Sequence, residues 1–224
     1  MARWRRELSI VTLARIFVVM FVSFLDLFGS RAHASPESDF WRWFQRNEAD
    51  LFDFERDQEA IFDRLAAAMH KVHPSLTFEF GPKENGRREF VISADGIKDA
   101  FPKVESLYGS APAMAHWNFV KFRPRREPFD IEYAGISVKA DTVSVLLEPD
   151  GQKAGLTVFI PGYDQENHNA YAGIAFLLLD QALGEYDVET RVGYIEVKAP
   201  SRAPAQARSL QELPKAFDDF FAGR

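Results

Sequence analysis

The stretch LTFEFGPKENGRREFVIS, residues 76–93, decides the fold. Phe78 and Phe80 alternate with polar residues, Asn85-Gly86 follows as a strong two-residue turn signal, and apolar residues resume after the turn. This pattern predicts an antiparallel hairpin with strands over 76–80 and 89–93. A second hairpin is predicted across Asp150-Gly151, between strands 142–148 and 156–160. We expect both hairpins to lie in one sheet.

Helices and further strands are predicted around these hairpins. Apolar residues at helical spacing predict helices over 39–54, 58–72, 97–108, 169–183 and, at the C-terminus, within 210–222. Strands are predicted over 116–122 and 188–197, and the proline- and alanine-rich stretch 199–207 is a predicted loop. No internal repeat of 20 to 50 residues is visible, and hairpins outnumber strand-helix-strand units. The sequence therefore predicts a single α+β domain over 35–224, with an antiparallel or mixed sheet and helices packed mainly on one face.

Residues 1–34 are organised like an export signal. Arg3, Arg5 and Arg6 precede the apolar run 16–25, and Ala32-His33-Ala34 forms a small-x-small cleavage site before Ser35. The run is about half as long as the ~20 apolar residues of a spanning helix. We predict cleavage and export to the periplasm or medium without stable membrane insertion, the alternative being an N-terminal membrane anchor.

Composition excludes several classes of function. The chain has 27 basic and 33 acidic residues, a net charge of -6 and no cysteine. The acidic balance argues against a nucleic-acid partner, and the lack of cysteine excludes disulfides, thiolate metal sites and cysteine nucleophiles. The common signatures of nucleotide binding, acyl transfer and zinc proteolysis are missing. We expect no cofactor and no metal, and favour a non-catalytic binding or interaction module of the cell envelope, with an unknown protein or small-molecule partner.

The loop 161–168, PGYDQENH, is the densest polar cluster in the chain. It lies between a predicted strand and the predicted buried helix, which is a common place for a site. Asp164 or Glu166 could act with His168 as acid and base, which would make the protein an envelope hydrolase. Capping of the helix by Asp164 or Asn167 explains the same residues without chemistry. Both interpretations stay open at the level of sequence.

Candidate ligand-binding residues lie in and just after the predicted strand 116–122. Trp117 is followed by Arg123, Arg125 and Arg126, and three such guanidinium groups could clamp a carboxylate or phosphate. Trp117, Arg123 and Arg125 are the ligand-binding candidates. The competing interpretation pairs the arginines to local acids such as Glu127 and Asp130. The pair His70 and His73 has the spacing of two metal ligands but no evident third one, so we interpret it as the cationic end of a helix.

Six short motifs resemble a bacterial family, domain of unknown function number 695. They are Ala111-Pro112, His116-Trp117, Phe122-Arg123-Pro124-Arg125, Leu178-Leu179-Asp180, Leu183-Gly184-Glu185 and Val192-Gly193-Tyr194-Ile195-Glu196. The resemblance covers roughly residues 40–195. It implies a bacterial source and a compact α+β domain, and carries no catalytic residues with it. The predicted export signal departs from the cytosolic location expected of that family.

Overall fold

Both predicted hairpins form in the computed structural model, which describes residues 35–223, so that the predicted export signal lies outside the described residues. The α-helices of the described part are α1 (Pro36–Arg46), α2 (Glu48–Phe52), α3 (Gln58–His70), α4 (Phe101–Gly109), α5 (His168–Leu183), α6 (Glu185–Arg191) and α7 (Leu213–Ala222). Its strands are β1 (Thr77–Glu84), β2 (Arg87–Ser93), β3 (Trp117–Lys121), β4 (Ile131–Tyr133), β5 (Ile136–Val138), β6 (Ser144–Asp150), β7 (Lys153–Phe159), β8 (Val192–Lys198) and β9 (Arg208–Ser209). Together they make one α+β domain with mixed and antiparallel sheets, as predicted.

The two hairpins lie in different sheets, so the prediction of one common sheet is wrong. Strands β1 and β2 pair antiparallel, and β3 adds in parallel to the free edge of β2. Strands β6 and β7 pair antiparallel, β8 adds in parallel to β7, and β9 adds antiparallel to β6. In each sheet, a helical crossover brings the following strand back in parallel beside the hairpin, so each hairpin is extended by the strand next in sequence and not by the other hairpin.

Each sheet has its own hydrophobic core, and this is the physical reason for the separation. The first core is aromatic and joins β2 and β3 to the helices α1, α3 and α4, with Phe44, Phe90 and Trp117 at its centre. The second core is aliphatic and joins β6, β7 and β8 to the helices α5 and α7. Aromatic rings and small branched side chains fill space differently, so each core packs closely with its own kind of side chain. Each sheet therefore buries its apolar face against its own set of helices.

The chain repeats one arrangement of elements in the two halves. We call β1-β2-α4-β3 the first unit and β6-β7-α5-α6-β8 the second unit, since each is a hairpin followed by a helical crossover to a parallel strand. Their turns, Asn85-Gly86 and Asp150-Gly151, lie about 65 positions apart. This spacing is longer than the periods of 20 to 50 residues that are absent from the sequence. The repeat is not visible in the sequence because the two units have different core residues.

Several segments depart from the predicted elements, and three of them have a clear local cause. The predicted helix 39–54 divides into α1 and α2, because the Asn47 side chain donates to the Trp43 carbonyl at 2.8 Å and ends α1. Residues 188–191 are helical rather than extended, since Gly184, with φ +81°, ends α5 and starts α6. The hairpin β4–β5 was not predicted, because its turn begins with Ala134 instead of a usual turn residue.

The carboxylate of Glu185 joins the two units. Glu185 is fully buried at the start of α6 in the second unit. Its Oε1 atom accepts hydrogen bonds from the backbone N–H groups of Ala94 and Gly96 in the first unit, both at 3.1 Å. Its Oε2 atom accepts from the N–H of Arg123, in the linker between the units, at 3.0 Å. One side chain thus satisfies three backbone donors that have no partner in a sheet.

Replacement of Glu185 by Ala should destabilise the domain strongly. Three backbone N–H groups would lose their acceptor at a site with little water, which costs about 3 kcal/mol or more of unfolding free energy. Urea denaturation measures the change, with Glu127→Ala in the exposed linker as the matched control. The control should change the unfolding free energy by less than about 0.5 kcal/mol. Equal effects of the two variants would show that Glu185 does not hold the units together.

No helix within residues 35–223 is long and apolar enough to cross a membrane. The buried helix α5, with 16 residues, is shorter than the ~20 residues that a bilayer requires. Its apolar surface is instead covered by the second core, where Ile174, Leu178 and Leu179 are fully buried.

Candidate functional site

A cavity of about 250 Å³ lies where the linker between the units crosses helix α5. Its charged lining residues are Glu79 of β1, Arg123 and Arg126 of the linker, and Asp180 of α5. Phe129 and Leu177 form part of its apolar wall, and their side chains are 59% and 38% exposed. A concave site with apolar walls and a few convergent polar groups is the usual form of a small-molecule site. We call it the Asp180 cavity.

Asp180 is the unusual residue of this cavity. It is 4% exposed, and both carboxylate oxygens are buried without a hydrogen-bond partner. The nearest cationic group is Arg123, whose Nη1 atom lies 3.6 Å from Oδ2, too far for a hydrogen bond. A buried carboxylate normally accepts several hydrogen bonds, so Asp180 lacks donors that a ligand could provide.

Burial raises the pKa of Asp180 to about 7. The positive charge of Arg123 opposes this rise, and the negative charges of Glu185, Glu189 and Asp95 add to it. The carboxyl group therefore exchanges its proton near neutral pH. Strongly shifted groups of this kind in a cleft are candidates for functional residues.

The two arginines of the cavity already have carboxylate partners. Arg123 donates through Nε to Glu79 and through Nη2 to Asp95, the latter at 2.8 Å. Burial alone would lower the pKa of Arg123, but the hydrogen bond to Asp95 and the charge of Glu79 raise it. Arg126 forms an ion pair with Glu89 of β2. These contacts hold both guanidinium groups in place at the edge of the cavity.

An unusual backbone conformation positions Arg123. The preceding residue, Phe122, has φ +61°, which is rare for a large side chain. The conformation lets the buried Phe122 ring pack on Phe101, with centroids 4.6 Å apart, while the N–H of Arg123 points to Glu185. Arg126 is held in turn by a 2.7 Å hydrogen bond from its N–H to the carbonyl of Gln181 on α5. The linker is thus fastened to α5 beside Asp180.

A larger cavity of about 460 Å³ lies beside Arg125 and Tyr186, and it shares Arg123 and Pro124 of the linker with the Asp180 cavity. Its charged groups are paired, since Arg125 binds Asp187 at 2.6 Å and Asp218 at 2.9 Å, and Lys121 binds Glu105 at 3.2 Å. Among residues 35–223, its lining contains no buried carboxylate without a hydrogen-bond partner. We favour the Asp180 cavity because it contains a buried carboxylate without a hydrogen-bond partner, although its volume is smaller.

Two of the three ligand-binding candidates of the sequence stay together in the structure. Arg123 and Arg125 both line the larger cavity, where Arg125 donates to the carbonyl of Leu183 at 3.0 Å, and Arg123 also lines the Asp180 cavity. Trp117 is 2% exposed and packs in the aromatic core against Phe44. The arginines do form ion pairs, but with distant acids rather than with Glu127 and Asp130.

The polar loop 161–168 does not bring a carboxylate to the imidazole. Asp164 accepts hydrogen bonds from the backbone N–H of Asn167 at 2.8 Å and from its side chain at 3.0 Å. The hydrogen bond from the Asn167 side chain, above all, lowers the pKa of Asp164. His168 contacts the Tyr163 hydroxyl through Nδ1 at 3.0 Å, and Glu166 is exposed. Within residues 35–223, no hydrogen bond or ion pair joins His168 to Asp164 or Glu166.

The histidine pair near Pro74 lies at and just after the end of α3, and His73 bonds within the turn that follows the helix. Nδ1 of His73 accepts a hydrogen bond from the N–H of Ser75 at 3.2 Å, and His70 ends α3 at the surface. No group of three or more His, Asp or Glu residues in the described part of the chain is arranged to hold a metal ion.

Asp180 was not singled out from the sequence, although a signal was present. It is the one charged residue in the apolar run 170–180, and its position places it on the buried side of α5 with Leu179 and Leu183. A charge on the buried side of a helix is costly and is therefore informative. Which residues would surround it could not be read from the pattern.

Comparison of the chain with protein-family models, with curated proteins and with solved structures gives no match. The resemblance to domain of unknown function number 695 therefore stays a prediction. Three of its motifs do meet at the linker, where Arg123 contacts Asp180 and Glu185.

The proton on Asp180 should make the stability depend on pH. The folded state holds this proton up to about pH 7, whereas the unfolded chain releases it near pH 4. The free energy of unfolding should therefore fall as the pH rises from about 4 to 7, and Asp180→Asn should remove this contribution. Between pH 5 and 7.5, the wild type should lose about 2 to 3 kcal/mol more than the variant in urea denaturation. Parallel pH curves would contradict a raised pKa.

Proposed function

We propose that the protein is an exported binding module of the cell envelope that holds a small molecule in the Asp180 cavity. The observation that carries the proposal is a carboxylate that is buried, lines a cavity and accepts no hydrogen bond. A ligand that donates to Asp180 would remove the cost of burying these oxygen atoms without partners. The exposed rings and side chains at the rim would cover the apolar part of the ligand.

Binding rather than catalysis is the function that the geometry favours. Reaction chemistry needs a nucleophile or an activated water beside the acid or base, and the part of the chain that the structure describes lines the Asp180 cavity with no Ser, Thr, Tyr, Lys or His. The loop 161–168, on which the alternative of an envelope hydrolase depends, has its carboxylates and its imidazole apart. We therefore place the ligand at Asp180 and keep the loop as the competing site in the test.

Nuclear magnetic resonance can locate the binding site with a matched panel of probes: benzylamine, benzyl alcohol and phenylacetate. We expect at least one probe to shift the backbone amide signals of Leu177, Asp180 and Gln181. Asp180→Asn should weaken that binding about tenfold or more, which corresponds to about 1.4 kcal/mol, whereas His168→Ala should leave it unchanged. Shifts confined to 161–168 and abolished by His168→Ala would favour the loop. If no probe shifts the cavity signals, the proposal fails.

The export part of the proposal has a separate test. If residues 1–34 are a signal, the protein recovered from its producing cell should begin at Ser35 and appear in the periplasmic or extracellular fraction. N-terminal sequencing decides between export and the membrane anchor. A chain that retains its first residues and sediments with membranes would favour the anchor.

A further inference from the structure

We infer that the ligand of the Asp180 cavity is a small organic cation, a protonated amine whose N–H groups bind the Asp180 carboxylate and whose apolar part lies against Phe129 and Leu177. The inference rests on the proposed function, because it names the ligand class of the same cavity. Three features of the described residues support a cation over a neutral or anionic ligand.

The first feature is the kind of hydrogen-bonding partner that Asp180 lacks. Above about pH 7, where the Asp180 carboxyl group is ionised, it only accepts hydrogen bonds, and neither of its two oxygen atoms has a donor among the described residues. A protonated amine supplies up to three N–H donors from one compact atom. A ligand carboxylate or phosphate would bring further acceptors to a place where acceptors are already in excess.

The second feature is the charge around the cavity. The groups that face Asp180 from the neighbouring elements are Asp95 of the turn after β2, Glu185 and Glu189 of α6, and Arg123 of the linker. Glu79 of β1 and Arg126 of the linker complete the charged lining. Because Arg123 binds Glu79 and Asp95, and Arg126 binds Glu89, each guanidinium is already neutralised by a carboxylate. The remaining charge near Asp180 is negative, which attracts a cation.

The third feature is the shape and polarity of the walls. Ile131 is buried beside the cavity, while Phe129 and Leu177 remain exposed at its rim. Exposed apolar side chains next to a buried charge suit a ligand with one charged end and one apolar end. The volume of about 250 Å³ limits the ligand to the size of one ring or a short alkyl chain. Benzylamine has the required charge, ring and size.

The inference predicts a specific pH dependence of binding. Benzylamine stays protonated between pH 6 and 8, so over this range the ionisation of Asp180, with its pKa of about 7, controls the affinity. The dissociation constant of benzylamine should therefore rise about tenfold when the pH falls from 8 to 6. Isothermal titration calorimetry measures both values. Asp180→Asn should bind weakly at both pH values and show no such change.

The two neutral or anionic probes separate this inference from the proposed function. Benzyl alcohol has the same ring without the charge, and we expect it to bind at least tenfold more weakly than benzylamine at pH 8. If phenylacetate binds better, and binds more tightly at pH 6 than at pH 8, then protonated Asp180 and Arg123 hold an anion instead. That result would overturn the cation but leave the binding function in place. Binding of no probe would overturn both.

A fold control accompanies these measurements. Asp180→Asn retains the shape of the side chain and introduces no charge, so the variant should fold, and its circular dichroism spectrum should match that of the wild type. Glu127→Gln serves as the matched control, because it makes the same change from carboxylate to amide at an exposed linker residue that does not line the cavity. We expect it to bind benzylamine as tightly as the wild type. Equal losses of binding in Asp180→Asn and Glu127→Gln would contradict the inference.

Discussion

The contact between the Glu185 carboxylate and three backbone N–H groups is the constraint on which the rest of the structure depends. Each unit of the domain has its own sheet and its own core, so apolar packing alone would leave them as neighbours without a fixed register. The bonds from Ala94, Gly96 and Arg123 fix that register by direction and distance. A charged acceptor makes such bonds stronger than neutral pairs.

The candidate site is a consequence of this junction. Once Glu185 holds the N–H of Arg123, the linker must pass along α5, and the side chain of Arg123 reaches Asp180 and the carboxylates of the first unit. The junction buries one carboxyl group, Asp180, and places further acids around it, and burial above all raises its pKa to about 7. Burial of this carboxyl group lowers the stability of the fold and provides a group to which a ligand could bind, a balance common at functional sites.

The Asp180 cavity lies between the two hairpin-crossover units, at the linker that joins them. Other cavities lie within one half, beside α1 and α3 or between β6 and α7, but among the described residues they contain no buried carboxylate without a hydrogen-bond partner. The surfaces that meet at the linker are polar and incompletely paired, as expected where two packed bodies join. Residues at such a junction can be substituted, and the chemistry of the site changed, without disturbing either hydrophobic core.

The sequence by itself determined the local elements. Alternation around Asn85-Gly86 and Asp150-Gly151 predicted both hairpins, and helical spacing located α3 and α5 within one or two residues, because turn conformation and amphipathic period are properties of neighbouring residues. Tertiary structure alone decided that the hairpins belong to two sheets and that Arg123, Asp180 and Glu185 meet. Those contacts join residues about 60 positions apart through buried charges, and no local periodicity encodes which distant donor a buried carboxylate will find.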